Sequence, residues 1–506
     1  MLGGLLKQVA SRFLVTRNGL TRQAFENCEL AQQAFEEGDL ENAEIFYRRA
    51  IRFDPESGVL AYNLGLLLHQ VGEHDEAAKL LERATLACPE MQAAHASYFS
   101  ALEMAGDTSR QRLCELHIAW AEKHANPVTP IQRASPIRKH PRNIGYLSAD
   151  LRRHAVGRLV EPVIRAHDRD RYRVFCYANS SDSDDMTFHL QGIADKWRQT
   201  DKLSDEEFCE AVRSDGIDIL VDLSGHSSGN RLTALARRPA GLQMTWMGYL
   251  NTTGMSAIDY RITDVESDPQ GAERYYREAL LRLPHAQWCY AAKAGPVCAP
   301  EIPRVGVLQG RAIRLGCMTR FMKITDDMLD IWIRVLLALP EAQLTLIDVP
   351  AHPRAGRVQR RFEDAGLSGR LRLLPTLAGS DYWDCISSID LALDTFPYTG
   401  ATTTLDCLWM EVPVLTMRGE CGAERSATSI LHTIGLDELI VSSSYEYVDR
   451  LVRIVNQPGY LEGLSRNLRN RLLTSPIGNS EKFTRNLEAA MEHAWAEKFG
   501  GGRESV

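Results

Sequence analysis

Apolar positions change their spacing along the chain, and the changes divide it into three parts. Residues 27–126 show the spacing that is typical of helices. Residues 142–292 and 306–506 instead alternate short apolar runs of strand length with helical patterns. Pro-rich stretches at 127–141 and 293–305 separate the parts as linkers. The pattern therefore predicts an all-α part followed by two α/β halves.

The all-α part repeats itself. Two copies carry small residues and a proline at equivalent positions 34 residues apart: Gly38 and Gly72, Ala43 and Ala77, Ala50 and Ala84, Pro55 and Pro89. This period and pattern indicate the tetratricopeptide repeat, a helix–turn–helix unit. A third, degenerate copy runs from residue 93 to about 126 and keeps Gly106. The array is either a groove for a protein or peptide, or a structural shoulder that packs on the α/β halves.

The first 25 residues contain no acid and combine Lys7 and three arginines with apolar side chains. We interpret residues 1–26 as an amphipathic helix that caps the repeats. A helix on a membrane surface and a transit peptide are the alternatives.

Each α/β half contains a series of predicted strands. In the first half they are 143–147, 172–177, 217–223, 242–246 and 260–263; in the second they are 313–317, 342–347, 371–374, 391–394, 414–416 and 439–441. Strands that alternate with helices at this spacing predict two doubly wound parallel sheets. Ligands of such sheets bind beyond the carboxyl ends of the strands, so we expect the site in the cleft between the halves.

Composition narrows the class of protein. Of the 506 residues, 44% are hydrophobic and 25% are charged, which is typical of a soluble globular protein. A net charge of −8 gives no reason to expect a nucleic-acid partner, and no run approaches the ~20 apolar residues of a membrane span. The 11 cysteines include no CxxC pair, which predicts reduced thiols in a cytoplasmic chain rather than disulfides or a zinc site.

The segment at 391–409 is the first candidate for a binding site. A short apolar strand leads into a turn that contains Gly400, and Thr402 and Thr403 then open a helix. A helix N-terminus with free N–H groups and hydroxyls can bind a phosphate, although an ordinary strand-to-helix crossover has the same pattern. Two carboxylates could take the hydroxyls of a ribose there: Asp394 and Asp406.

Other strand ends offer further polar side chains. Asp150 and His154 follow the first strand and would share one face if that stretch were helical, where His154 could act as a general base or could bond the linker. Arg320 and Lys323 follow the first strand of the second half and could bind an anion or lie in solvent as ordinary helix-start charges.

Three more loops of the α/β halves are polar. Residues 222–231 and 248–254 are Gly-containing loops, and the first of them is either a ligand loop or a turn before a helix cap. The acidic loop at 182–184 has no partner ligands nearby in the sequence, so we interpret it as an exposed turn rather than a metal site.

Taken together, these segments resemble the O-linked N-acetylglucosamine transferase family from about residue 27 to residue 495. The resemblance is carried by segments in one fixed order: 145–154, 215–226, 248–254, 391–409 and 419–426. It implies an α/β fold with an all-α N-terminal part, in which a short tetratricopeptide array precedes a GT-B glycosyltransferase of two Rossmann-like halves. The lack of an insert between the halves resembles the bacterial members.

The family resemblance also implies a reaction and its residues. The reaction is an inverting, metal-independent transfer of N-acetylglucosamine from UDP-GlcNAc to Ser or Thr hydroxyls of a protein, without a cofactor. The implied catalytic residues are His154, Asp150 and Lys323. The implied donor-binding residues are Asp406, Thr402, Thr403, Gly400, Tyr382, Arg320, His226 and Arg425. By position, Asp406 rather than Asp394 is the ribose-binding acid, and the general base stays open.

Departures from the family pattern keep alternatives open. Residues 318–320 replace a usual Phe-Asn-Asn, Tyr382 stands at the position of a uracil-stacking histidine, and Ala401 stands where a histidine is frequent. One alternative is the same fold with another donor or linkage, as in protein O-fucosyl- or N-glucosyltransferases. The other is a repeat-based adaptor with an inactive transferase domain. The expected partners are a protein acceptor, through the repeat groove and the cleft, and a UDP-sugar.

Overall fold

The computed structural model describes residues 20–125, 141–294, 297–298 and 312–500. The repeat part is a set of six helices: α1 Arg22–Glu37, α2 Leu40–Phe53, α3 Gly58–Gln70, α4 His74–Ala87, α5 Gln92–Ala105 and α6 Arg110–His124. Helix α1 is the first helix of the array and starts before residue 27, so residues 22–26 do not belong to a separate capping helix. The rest of that predicted helix and most of both linkers lie outside the described residues.

Small residues at the repeat positions allow the helices to approach closely. The alanines at positions 43, 50, 77 and 84 are fully buried. A Cβ atom at Gly65 of α3 would lie 2.8 Å from Leu81 Cγ of α4, too close for any side chain. The glycines that close the turns, Gly38 and Gly72, both have φ of 83°, which disfavours other residues. The repeat pattern thus sets both the spacing of the helices and their turns.

The first α/β half is built on a seven-stranded parallel sheet with the order β3-β2-β1-β4-β5-β6-β7. Its strands are β1 Arg142–Ser148, β2 Tyr172–Ala178, β3 Lys196–Gln199, β4 Ile219–Asp222, β5 Leu242–Thr245, β6 Tyr260–Asp264 and β7 Ala279–Leu283. Its helices are α7 Ala155–Ala166, α8 Asp185–Ile193, α9 Asp205–Ser214, α10 Leu232–Leu235 and the 3₁₀ turn Ala272–Tyr275. A short antiparallel pair, β8 Lys293–Ala294 and β9 Val297–Cys298, comes next along the chain.

The second half holds a six-stranded parallel sheet with the order β12-β11-β10-β13-β14-β15. Its strands are β10 Arg314–Cys317, β11 Gln343–Leu346, β12 Leu371–Leu373, β13 Leu391–Leu393, β14 Val414–Met417 and β15 Ile440–Val441. Its helices are α11 Asp326–Ala338, α12 Pro353–Asp364, α13 Ser380–Ser388, α14 Thr402–Trp409, α15 Ser426–Thr433, α16 Ser444–Asn456, α17 Tyr460–Ser465 and α18 Leu468–Thr474. Short 3₁₀ turns lie at Phe321–Lys323, Gly422–Arg425 and Asp437–Leu439. The predicted fold class, with two parallel sheets after a repeat array, is confirmed.

Two strands of the first sheet, β3 and β7, were not predicted. Both lie at an edge of the sheet, where one side of the strand has no neighbour. Strand β3 carries Lys196 and Arg198 and is largely exposed, so it lacks the apolar run that indicates a buried strand. Edge position and polar side chains explain why β3 gave no signal, whereas β7 is a mostly apolar run, Ala279–Leu283, that was not recognised as a strand.

The last helix, α19 Ser480–Phe499, returns to the first half instead of completing the second. It packs on α7 and β7. The buried carboxylate of Glu488 lies 2.9 Å from Nδ1 of His167, and Arg142 Nε donates to Glu492 at 2.8 Å. The prediction that all of 306–506 forms the second half therefore needs correction, because this helix bridges the two.

One apolar core continues from the first sheet into the second, while the repeats have a core of their own. The two halves are thus held together by packing as well as by α19. Among the helices in the described ranges, none has the length and apolar content needed to cross a membrane.

Candidate active site

The loop between β13 and α14 is closed by a buried carboxylate, Asp394. Its Oδ1 accepts the backbone N–H groups of Gly400 at 2.8 Å and Thr395 at 2.9 Å, and its Oδ2 accepts the Thr416 hydroxyl at 2.7 Å. Burial raises the pKa of Asp394 to about 6, and these hydrogen bonds oppose the rise. Because both oxygens hold the protein's own groups, Asp394 shapes this loop rather than facing a ligand.

The N-terminus of α14 has the features of a phosphate site. Thr402 and Thr403 are its first two residues and are half-buried, and the preceding Ala401 has no side chain that could cap the helix. A Cβ atom at Gly400 would lie 2.6 Å from the Thr403 hydroxyl, so the backbone approaches that hydroxyl as only glycine allows. The amide N–H groups and the positive end of the helix dipole therefore lie at this loop, with the Thr403 hydroxyl beside Gly400.

Lys323 lies next to this helix start, at the end of the 3₁₀ turn that follows β10. Its ammonium donates to the carbonyl oxygen of Thr399 at 3.3 Å and sits 4.3 Å from the centroid of the Tyr398 ring. Burial lowers the pKa of Lys323 to about 8, while the carboxylate of Asp394 works in the opposite direction. The turn thus places one cation beside the loop between β13 and α14, next to the helix N-terminus that has the features of a phosphate site.

The carboxylate of Asp406 is only 1% exposed and is engaged from both halves. Arg158 of α7 donates to its two oxygens at 2.6 and 3.1 Å, the Tyr290 hydroxyl donates at 2.7 Å, and the Tyr382 hydroxyl donates at 3.1 Å. Four hydrogen bonds fill the roughly four lone-pair positions of a carboxylate. A ribose could therefore bind Asp406 only by displacing one of these donors.

Arg158 and Tyr290 were missed by the sequence analysis. The sequence did contain one indication of a role for Arg158. It is a cation one turn after His154, on a helix whose other positions are mostly apolar and buried. No sequence pattern connects that helix to Asp406, because the two residues are 248 positions apart. The predicted donor-binding pair Tyr382 and Asp406 is brought together, but the structure adds a cation from the opposite half.

The stretch from Asp150 to His154 is not helical, because α7 begins only at Ala155, so the condition for a shared helical face is not met. His154 is its N-cap residue: Nδ1 accepts the N–H of Val156 at 3.3 Å and lies 3.6 Å from Asp150 Oδ2. Asp150 is also paired with Arg152 at 3.2 Å. The His154 side chain is 44% exposed.

The remaining predicted residues do not all meet at the α14 loop. Arg320 is exposed and lies 3.7 Å from Asp348. Arg425 is buried and joins the halves through Glu266, 3.2 Å away. His226 is buried among aromatic rings at the boundary between the repeats and the first sheet, and its Nε2 bonds the carbonyl of Thr253 at 2.9 Å. Burial lowers the pKa of His226 well below its usual value. The structure therefore does not place the His226 side chain at the donor loop.

Within the described ranges, no three His, Cys, Asp or Glu side chains come together as a metal-binding group. In the acidic loop of the first half, Asp184 caps α8 and Asp182 pairs with Arg152 at 3.0 Å.

Two family models match this chain. The model of glycosyl transferase family 41 matches residues 107–291 and 307–487, and a tetratricopeptide repeat model matches residues 34–98.

Plant proteins are similar over most of the chain. The probable UDP-N-acetylglucosamine–peptide N-acetylglucosaminyltransferase SPINDLY of Solanum lycopersicum is 33% identical over 433 residues, which is 83% of this chain and 46% of the plant protein. The protein of the same name from Arabidopsis thaliana is 35% identical over 369 residues, which is 71% of this chain and 40% of that protein. The chain thus spans less than half the length of these curated relatives.

One solved structure is similar over nearly the whole chain. It is a mutant of the Thermobaculum terrenum O-GlcNAc transferase, with a TM-score of 0.87 and 35% sequence identity. The match covers 99% of this chain and 94% of the bacterial one.

Proposed function

The chain belongs to glycosyl transferase family 41, and on that basis we propose that it transfers N-acetylglucosamine from UDP-GlcNAc to Ser or Thr hydroxyls of a protein. The observation that carries the proposal is the position of Lys323 beside the N-terminus of α14. Its ammonium donates to the Thr399 carbonyl in the loop before that helix, and no side chain of the described residues caps the helix. A diphosphate is the ligand that a cation and free helix N–H groups suit best. The likeness to the Thermobaculum terrenum enzyme over 99% of the chain supports the same assignment.

In the proposed donor complex, Thr402, Thr403 and the first N–H groups of α14 hold the diphosphate. The ribose hydroxyls bind Asp406 after Arg158 has moved away, and Tyr382 stacks on the uracil once its hydroxyl leaves Asp406. Two observations support this arrangement. Tyr382 and Arg158 both contact Asp406 in the structure, and the proposed donor-binding residues match positions of the family.

The proposed reaction is a single displacement. The acceptor oxygen forms a bond to the anomeric carbon while the bond from that carbon to UDP breaks, so the configuration inverts. The electron pair of the broken bond leaves with UDP, and Lys323 neutralises the charge that develops there, as a metal does in other enzymes. We therefore propose a metal-independent transfer. The acceptor oxygen loses its proton to Asp150, to His154 or to solvent water, and the identity of the general base stays open among them.

We propose that the acceptor is a protein and that the repeats contribute to its binding, because tetratricopeptide arrays present grooves of this kind. A cytoplasmic location is proposed from the cysteines, since the ten whose side chains the structure describes are free and nine of these are buried.

The rate should depend on the charge of Lys323. Its pKa is lowered to about 8, so the ammonium loses its proton as the pH rises through that value. We expect kcat/KM for UDP-GlcNAc to be constant below about pH 7.5 and to fall about tenfold per pH unit well above pH 8, because kcat/KM reports the free enzyme. A pH–rate profile from 6 to 10 checks this, and a profile that stays flat to about pH 10 contradicts it.

Arg158 should compete with the donor for Asp406. In Arg158→Ala the carboxylate keeps its two tyrosine partners but gains free lone pairs, so we expect UDP to bind about tenfold more tightly, or about 1.4 kcal/mol. Isothermal titration calorimetry measures the Kd. The matched control is Arg165→Ala, an arginine of the same helix that is 47% exposed and pairs with Glu161. Weaker UDP binding by Arg158→Ala alone would show that Arg158 assists the donor instead.

A donor panel tests the proposed function. We expect UDP and UDP-GlcNAc to raise the melting temperature, since a ligand at 100 times its Kd stabilises a protein by about 2.7 kcal/mol. GDP-fucose and UDP-glucose should give smaller shifts than UDP-GlcNAc. If GDP-fucose alone stabilises the protein, the donor is GDP-fucose and not UDP-GlcNAc. If no nucleotide sugar stabilises it, the proposed transferase activity is refuted.

A further inference from the structure

Three successive hydrogen bonds connect the repeats to the turn that contains Lys323. The Ser100 hydroxyl of α5 lies 2.9 Å from Nε2 of His69 in α3. Nδ1 of His69 lies 3.0 Å from Nδ1 of His74, the first residue of α4. Nε2 of His74 bonds the backbone carbonyl of Met322 at 2.5 Å. Both histidines are buried, so three repeat helices reach the residue just before Lys323.

The chemistry of the groups fixes which atom donates in the two hydrogen bonds nearest the turn. A carbonyl oxygen only accepts, so Nε2 of His74 must carry a proton. Burial lowers the pKa of His74 to about 4, which keeps the ring neutral and leaves its Nδ1 as an acceptor. His69 therefore donates from Nδ1, and the Ser100 hydroxyl lies 2.9 Å from the other ring nitrogen of His69. Every link has a donor and an acceptor, and the last donor faces the turn.

A second contact holds the other side of the same turn. Arg354 of α12 donates to the backbone carbonyl of Ile324 at 3.4 Å. The same guanidinium lies 3.5 Å from the carboxylate of Glu73, the residue that precedes α4. The carbonyls on both sides of Lys323 are thus connected to the first turn of one repeat helix.

The turn needs such contacts because it is short. Phe321–Lys323 is a single 3₁₀ turn, closed by the N–H of Lys323 on the carbonyl of Arg320 at 2.9 Å. Three residues with one or two internal hydrogen bonds have little stability of their own, so their position depends on their neighbours.

We propose that the repeat domain positions Lys323 for the donor's diphosphate, with His74 as a positioning residue that acts through the Met322 carbonyl. The inference deepens the proposed function and rests on it, because it assigns part of the donor site to the repeats. It gives the repeats a role besides binding the acceptor.

UDP and uridine binding to the full chain, measured by calorimetry, tests the proposal. His74→Leu removes the donor to Met322 and should weaken UDP binding about tenfold, while uridine, which has no diphosphate, should bind as it does to the wild type. In a double-mutant cycle, His74→Leu should weaken UDP binding no further once Lys323→Ala is present, because residues that act through one interaction are not additive.

Two variants serve as controls. His74→Gln keeps an N–H donor near the Met322 carbonyl and should restore most of the UDP affinity. His95→Leu removes a histidine of the same array whose Nε2 bonds the Pro89 carbonyl at 2.9 Å, entirely within the repeats. We expect His95→Leu to leave the affinity for UDP unchanged. Should His74→Leu not fold, Arg354→Gln enters the same cycle with the same expected outcomes.

Three results would overturn the proposal: wild-type UDP affinity in His74→Leu, an equal loss of uridine and UDP binding, or full additivity with Lys323→Ala. A wild-type chain that binds UDP but transfers no sugar would refute the proposed function alone, because the binding cycle is still measurable. A wild-type chain that does not bind UDP would refute both.

Discussion

Replacing Lys323 with alanine is expected to lower the turnover of UDP-GlcNAc about 10²- to 10³-fold, the usual cost of removing one electrostatic group that stabilises a transition state. The ammonium lies at the loop before α14, 3.3 Å from the Thr399 carbonyl, where charge on departing UDP would develop. Without it, the helix N-terminus and two hydroxyls remain, so binding of the donor should weaken less than turnover. Release of UDP, followed with saturating donor, measures the effect.

The fold should survive this change, because the side chain of Lys323 makes its described contacts only with the adjacent loop. The matched control is Lys202→Ala, a lysine on the exposed surface of the first half, for which we expect wild-type turnover. Unchanged turnover in Lys323→Ala would contradict the proposed role of this residue and would move the diphosphate elsewhere.

Replacing Asp406 with alanine is expected to destabilise the chain by about 3–5 kcal/mol, the cost of removing one partner of a buried ion pair. The guanidinium of Arg158 and the hydroxyls of Tyr290 and Tyr382 would all lose their acceptor in one step. The same change removes the proposed ribose-binding acid, so UDP binding should be lost as well. Denaturant titration and calorimetry measure the two effects separately.

Two further variants separate these roles. Asp406→Asn keeps one acceptor oxygen and the side-chain volume, so it should fold better than Asp406→Ala while still binding UDP poorly. Asp381→Ala removes an exposed carboxylate of α13 and should change neither property. An Asp406→Ala chain of wild-type stability would mean that the bonds to Arg158 and the tyrosines contribute little in solution.

The fold was largely accessible from the sequence because local patterns determine it. A 34-residue period of small residues implied the repeats, and apolar runs between helices implied both parallel sheets. The patterns failed where an element depends on distant partners. Strand β3 is polar and pairs only along one side, and α19 crosses to the first half through contacts such as that of Glu488 with His167.

In the candidate site, too, local features were predictable from the sequence and contacts between distant residues were not. The turn at Gly400, the start of α14 and the nearby Lys323 follow strands directly, so the position of each could be predicted from the sequence. The partners of Asp406 could not, because Arg158 comes from the opposite half. The role of Asp394 in closing the loop likewise depends on a tertiary contact, the hydrogen bond that its carboxylate accepts from the Gly400 N–H. Spacing indicates which residues end a strand, but not which side chains face them.

The link between the repeats and Lys323 was also beyond the reach of the sequence. His74 and Met322 are 248 positions apart, and a histidine at a repeat turn has no distinctive pattern. Its importance follows from tertiary geometry alone. If the binding cycle shows the expected coupling, the repeat array and the donor site form one functional unit.

The proposed reaction moves N-acetylglucosamine from UDP-GlcNAc to protein hydroxyls. The most direct measurement incubates the purified chain with isotope-labelled UDP-GlcNAc and a heat-treated lysate of the organism that encodes it, and maps the labelled residues by mass spectrometry. We predict labelled N-acetylhexosamine on Ser or Thr with the wild type and with Lys202→Ala, and almost none with Lys323→Ala. Label on Asn, label that persists in Lys323→Ala, or no label from UDP-GlcNAc would contradict the proposed function.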